Sequence, residues 1–146
     1  MSQVLSMYQN VGSTAFSRMA CQMAPYFSTI DPEIYVLQPG HAEVRVPFRK
    51  EITNHLQSVH AIALCNAAEL AGGMMTEVSI PNGARWIPKG MTVEYLAKAK
   101  TAIHAVADAG EIDWQTSGDK VVPVEIFDED GVKVFTARIT MNVKVG

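Results

Sequence analysis

The chain has 146 residues, 48% hydrophobic and 18% charged, with a formal net charge of −3. That length suits one domain with a real core, and the charge gives no general pull toward nucleic acid or an anionic membrane. No apolar run is long and clean enough to span a bilayer, and the N-terminus lacks a secretory pattern. The two cysteines, Cys21 and Cys65, fall in predicted helices, so a reducing cytoplasm is the default and no disulfide framework is expected.

Taken in order, the chain opens with a helix predicted over residues 3 to about 24. Leu5, Tyr8, Gly12, Phe16, Met19 and Met23 fall roughly on one face, Ser2 is placed to cap it, and Pro25 to end it. Such a helix either packs over the domain or acts as a lid whose Met and Phe side chains line a pocket. Residues 34–37 and 42–46 read as strands joined by the turn pair Pro39 and Gly40. A long helix is expected from Ser58, as N-cap, to about Thr76, followed by a loop at Pro81, Asn82 and Gly83.

The second half reads as strands. Residues 86–97 form one strand bent or bulged at Pro88, Lys89 and Gly90. Residues 101–109 form the next, with His104 as an exposed strand position, and residues 110–119 are expected to extend it before a turn at Ser117 and Gly118. Strands 121–127 and 132–145 flank Asp128, Glu129, Asp130 and Gly131, which read as a hairpin turn because they lack the ligand spacing of a calcium loop. Such an antiparallel sheet has one face to bury, and only one long helix is available to cover it. The expected fold is therefore α+β: a curved antiparallel sheet wrapped around a central long helix, with an N-terminal helical extension over residues 1–27 and the main domain over 28–146.

The central helix carries the chemistry. Ala61, Ala63, Cys65, Ala67, Ala68, Ala71, Gly72 and Gly73 leave little bulk on it, so other backbone is expected close by on most sides. In its middle stands one carboxylate, Glu69. Enclosed by apolar surroundings, it must be paired, protonated or working, and its pKa is expected to rise. Before the helix stand Asn54, His55 and His60.

Asn54, His60 and Glu69, followed by Gly72 and Gly73, resemble the motif of the hotdog-fold acyl-CoA thioesterases. The resemblance is nearest the branch with the phenylacetate-pathway and hydroxybenzoyl-CoA-type enzymes. In that motif an Asn or Gln precedes a His-Gly-Gly helix start, and an Asp or Glu lies nine residues after the His. Both spacings match here, while Ala61 and Ile62 stand in place of the two glycines. The segment from Ala84 through Lys100 is similar to the family's first strand after the helix, and strand order agrees from about residue 30 onward. The N-terminal helix is extra to the smallest members. The resemblance implies an acyl-CoA substrate, no cofactor beyond the coenzyme A it carries, and a homodimer or a dimer of dimers.

Helical geometry adds an independent argument. His60 and Glu69 are nine positions apart, so at about 100° per residue they project from opposite sides of the helix. One helix cannot aim both at one substrate, whereas two helices related by a twofold axis can. In the mechanism this suggests, the Ala61 N–H receives the thioester carbonyl. His60 supports the helix start or bonds near the thioester. Glu69 of the other chain activates water or attacks directly, and Asn54 positions the water or the carboxylate. Each has a plainer role open to it: Glu69 as an interface ion pair, Asn54 as a turn residue, His60 as a partner for backbone groups.

Arg85, Lys89, Lys98 and Lys100 are the candidate contacts for coenzyme A phosphates, with ordinary solvated charge as the alternative. No metal-ligand spacing, phosphate-cradling glycine loop or serine elbow is present. Two other functions compete. A hotdog protein could bind an acyl thioester without hydrolysing it, which Ile62 favours. A hotdog dehydratase could use His55, fourteen residues before Glu69, but the Gly- and Pro-rich segment that follows that His in dehydratases is absent, so this ranks well below the thioesterase.

Overall fold

The structure is a computed structural model and describes residues 2–146. Helix α1 (Gln3–Val11) starts where Ser2 Oγ accepts the Leu5 N–H at 2.9 Å, as expected of its cap. The predicted single helix is in fact two. Gly12 takes φ 86°, its N–H closing α1 on the Tyr8 carbonyl and its own carbonyl opening α2 (Ser13–Met23) by accepting from Phe16. The Tyr8 and Phe16 rings meet edge to face at 5.3 Å across the break.

A 3-10 turn (Pro25–Ile30) leads into strand β1 (Glu33–Gln38), which pairs with β2 (His41–Val46). Gly40 closes that hairpin with φ 81°, and a Cβ there would stand 2.8 Å from Gly110 Cα. The chain continues through α3 (Ala61–Ser79), β3 (Arg85–Tyr95), β4 (Ile103–Asp108), β5 (Gly118–Asp128) and β6 (Lys133–Lys144). The strands form one antiparallel sheet in the order β1-β2-β4-β5-β6-β3, with the expected irregularity in β3 between Pro88 and Gly90. The expected extension of β4 through Ile112 does not form. The Ala109 N–H bonds to Gly40, Ile112 folds back onto the Ala109 carbonyl, and the buried Trp114 indole donates to that same carbonyl at 3.3 Å. The reversal is fixed by burial of one aromatic ring, a tertiary contact that local alternation does not reveal.

The sheet curves around α3, which runs three residues past the expected end at Thr76. Leu64, Ala67, Ala68, Ala71 and Met75 join a core with Val44, Ile103, Val124, Ile126 and Ile139. The small residues are what allow this approach: a Cβ on Gly72 would lie 3.1 Å from Ile139 Cδ1 and within 3.6 Å of Val122 and Val124. Gly72→Leu is therefore expected to overpack the helix–sheet contact and cost about 1–3 kcal/mol, read as a lower urea midpoint.

The two edges of the sheet are treated differently. On β1, Ile34 has its N–H accepted by Ser17 Oγ at 2.8 Å and its carbonyl bonded by Ser13 Oγ at 2.8 Å. Helix α2 thus covers the β1 edge, so the N-terminal extension packs over the domain in the manner of the plainer sequence reading. β3 is the opposite edge, eleven residues long, paired with β6 on one side only.

On the outer face, β1, β2 and β4 carry a polar network. Tyr35 Oη donates to Glu43 Oε1 at 2.8 Å and lies 3.1 Å from His104 Nδ1, while His41 Nε2 is 2.6 Å from Glu43 Oε2. His104 is thus half-buried and partnered rather than simply exposed. The hydrogen bond from His41, and then that from Tyr35, hold the Glu43 carboxyl below its ordinary range against the opposing effect of burial. A depressed carboxylate stabilises the fold above its unfolded pKa and loses that contribution as pH falls through the folded value. Acidification below the usual carboxylate range should therefore destabilise the wild type more than Glu43→Gln, which urea titrations at stepped pH would show.

Candidate active site

The start of α3 is pinned from both sides. The Val59 N–H bonds to the Ala99 carbonyl and the His60 N–H to the Ile52 carbonyl, each at 2.8 Å. The N-cap is His60, not Ser58. His60 Nδ1 accepts the Ile62 N–H at 3.0 Å, so in that arrangement the ring proton sits on Nε2. Ser58 lies two residues too early, with its Oγ buried and without a partner among the described residues. A histidine is an unusual cap, and the serine was the conventional choice. His60 is thus a partner for a backbone N–H at the helix start.

Asn54 shapes the preceding turn. Its Oδ1 accepts the Leu56 N–H at 2.9 Å and the Ser58 N–H at 3.2 Å, and its own N–H bonds to the Ser58 carbonyl. The amide Nδ2 remains as a donor. His55 is exposed in this turn, where its carbonyl accepts from Gln57 Nε2 at 3.2 Å.

Ala61 is the first residue of the helix, and its N–H has no acceptor among the described residues. Such N-terminal amides, with the positive end of the helix dipole, favour a carbonyl oxygen that gains negative charge. Beside them opens a cavity of about 350 Å³, lined among others by Asn54, Ala61, Leu64, Tyr95, Leu96 and Lys98. Its walls are mostly apolar, with one ammonium at the rim. Tyr95 Oη also lies 3.5 Å from Cys65 Sγ on α3, and that neighbour, with some burial, raises the Tyr95 pKa.

Glu69 is not enclosed by its own chain. Ile62, Cys65 and Glu69 recur at helical spacing and form the stripe of α3 that the sheet leaves uncovered, with Ile62 and Glu69 exposed. The stripe continues to Gly73, where the Trp86 indole closes over the helix and donates to Glu77 Oε1 at 3.1 Å. Small residues thus admit close neighbours against the sheet at Gly72 and beneath the Trp86 indole at Gly73. Any apolar enclosure of Glu69 has to come from outside the chain. Along the axis, Ala61 and Glu69 are eight residues, or about 12 Å, apart, too far to act on the same carbonyl.

The four cations do not form one cluster. Lys98 lines the cavity and Lys100 lies two residues beyond, exposed. Arg85 begins β3, a strand roughly 35 Å long, at the end away from Lys98, while Lys89 stands near the strand's middle, and Lys89 Nζ is paired with Asp119 at 2.9 Å. Sequence reasoning passed over Tyr95, Leu96 and Asn66. The signal for Asn66 was present: an amide among small apolar residues on a helix face that had to be buried. Among the described residues no His, Cys, Asp and Glu side chains gather in a group able to hold a metal ion, and no helix is long and apolar enough to cross a membrane.

Comparison with known proteins agrees with this architecture. The sequence pattern of a domain of unknown function, DUF4442, matches residues 12–143. A structural-genomics crystal structure is 57% identical with a TM-score of 0.90, covering 99% of this chain and 97% of its own. A thioesterase of Pseudomonas aeruginosa is 16% identical with a TM-score of 0.78, covering 91% and 94%. A thioesterase of Staphylococcus aureus is 16% identical with a TM-score of 0.73, covering 82% and 98%. No curated protein matches the chain in sequence. The chain belongs to the DUF4442 family and has the hotdog fold of the thioesterases it resembles in structure.

Proposed function

We propose that this protein hydrolyses an acyl-CoA thioester at a site shared by two copies joined through their β3 edges. One observation carries the reading: the unpartnered Ala61 N–H opens on an apolar cavity, while Glu69 faces out of the chain about 12 Å along the helix. A long unpaired edge strand is a template for pairing with another chain. In a hotdog protein with β1 covered by α2, β3 is the edge that remains. A twofold axis near the middle of β3 sets the two α3 helices side by side and brings Glu69 of the partner subunit toward the Ala61 N–H.

The thioester carbonyl then accepts from the Ala61 N–H. Glu69 of the partner subunit takes a proton from water as the water oxygen adds to the carbonyl carbon, with Asn54 Nδ2 holding the water or the carboxylate. Collapse of the tetrahedral intermediate breaks the C–S bond, and the proton passes to the leaving thiolate, giving a carboxylic acid and free thiol. Direct attack by the carboxylate, with water then cleaving the anhydride, reaches the same products. The same antiparallel pairing carries Arg85 of the partner subunit toward the cavity whose rim holds Lys98, which supplies two cations for the coenzyme A phosphates, with Lys100 next to them. No metal or separate cofactor enters this scheme, and we infer a cytoplasmic enzyme, dimeric or a dimer of dimers.

The Staphylococcus aureus protein offers a parallel. Its solved variants replace a glutamine and, separately, a glutamate fifteen positions beyond it, which is the separation of Asn54 and Glu69. A thiol-release assay over short, medium, long and aromatic acyl-CoAs tests the proposal, and turnover that peaks with one acyl class is the expected result. A second reading rests on Ile62, 54% exposed at the helix start where the thioesterase motif has glycine. If acyl-CoAs bind measurably and none is cleaved, the protein is an acyl-thioester binder instead.

A further inference from the structure

Tyr95 ends strand β3 on the wall of the cavity that holds Asn54, Ala61 and Leu64. Its ring centre lies 6.0 Å from that of Phe135, its fully buried cross-strand neighbour on β6. Just beyond it, the Leu96 N–H bonds to the Val134 carbonyl at 2.9 Å. The phenol is thus anchored at its base, while the residue stays 53% exposed. Among the described residues its hydroxyl has one hydrogen-bond partner, the Cys65 thiol at 3.5 Å. A thiol is a weak donor and a weak acceptor, so the phenol keeps a donor for a stronger partner. Cys65 stands one helical turn after Ala61 on the same face, midway between Ala61 and Glu69. Helical side chains lean toward the N-terminus, so the Sγ that Tyr95 meets overlies the first turn of α3. The hydroxyl therefore stands about one turn, or about 5 Å, beyond the Ala61 N–H.

We propose that the Tyr95 hydroxyl donates to Glu69 of the partner subunit and holds its carboxylate toward the attacking water, as a positioning residue. The inference rests on the shared thioesterase site above. There the thioester carbonyl, the water and the carboxylate follow one another outward from the Ala61 N–H, each hydrogen bond spanning about 3 Å. The row bends at the carbonyl carbon, so a donor one turn along the helix meets the carboxylate and not the carbonyl. Asn54 Nδ2 is then left for the water. Glu69 of the same chain, one turn beyond Cys65, makes no hydrogen bond to the phenol. Lys98 is the other donor on this wall, but a flexible ammonium suits a phosphate better than a carboxylate that must be held in one place.

The test is the kinetics of full-length Tyr95→Phe on the acyl-CoA that the wild type cleaves fastest, alone and combined with Glu69→Gln. Phenylalanine keeps the ring against Phe135, so the fold is preserved. Alone, Tyr95→Phe should lower kcat about tenfold and leave KM within about twofold. In the Glu69→Gln background, followed by single turnover, it should cost less than about twofold more, because the group it positions is already disabled. Cys65→Ala removes the thiol and leaves the phenol, and should keep kcat within about twofold of wild type. Wild-type turnover by Tyr95→Phe overturns the proposal. So does an equal tenfold loss in the Glu69→Gln background, which would assign the phenol to the substrate itself. A Cys65→Ala variant that copies Tyr95→Phe also overturns it, since the hydroxyl would then act through the thiol. If the wild type cleaves no acyl-CoA, the thioesterase reading fails, and this inference with it.

Discussion

Glu69→Gln should lower kcat by about 10²–10⁴-fold, the range for removal of a general base, and leave acyl-CoA affinity within a few-fold of wild type. Its melting temperature should barely move, because Glu69 is exposed on the single chain and no ion pair among the described residues involves it. A role confined to an interface ion pair predicts the opposite pattern: weaker dimerisation at preserved turnover per dimer. Sedimentation and single-turnover kinetics on the same variant separate the two.

Ala61→Pro should lower kcat by about 10²–10³-fold, the usual loss when one donor to the developing oxyanion is removed. The substitution suits the backbone. Ala61 is the first helical residue, where proline is well tolerated and its missing N–H breaks no helical bond. His60 before it has φ −60° and ψ 139°, the extended conformation that proline requires of its predecessor. Folding stability should therefore hold or rise slightly, so a loss of activity is assigned to the missing N–H. Ala61→Gly, which keeps that N–H, should retain turnover. If Ala61→Pro turns over at the wild-type rate, the helix start is not the oxyanion donor.

Much of this architecture can be read locally. The alternation of residues 42–46, the breakers Pro39 with Gly40 and Pro88 with Gly90, and the small-residue run of α3 place the strands, the β3 irregularity and the wrapped helix. Three features depend on longer-range facts. The break at Gly12 was hidden because Leu5, Tyr8, Phe16 and Met19 keep helical phase across it. The turn at Trp114 depends on a ring buried against distant residues. The His60 cap needs an imidazole to do what a serine two residues earlier was expected to do.

The site was legible in a similar, partial way. Spacing alone separates His60 from Glu69 on the helix, and the structure adds that Glu69 lies on the one stripe the sheet does not cover. Four cations close in sequence are strung out along and beyond a long strand, because an extended backbone carries residues apart at roughly 3.3 Å each. Asn54, read as a group that positions water, spends its oxygen on the turn and keeps only its Nδ2 for a substrate. The polar network of Tyr35, His41, Glu43 and His104 joins three strands, so no local pattern announces it.

In the proposed dimer each site takes Ala61 from one copy and Glu69 from the other. This sharing is tested most directly by mixing Glu69→Gln and Ala61→Pro subunits, unfolded and refolded together. Each variant alone has two defective sites. A mixed dimer has one site with both lesions and one with neither. Random pairing makes about half of the dimers mixed, so roughly a quarter of wild-type activity should return if the site is shared. If mixed dimers form, as shown by two distinguishable tags, and activity stays at the level of the separate variants, both residues act within one chain and the shared site is wrong.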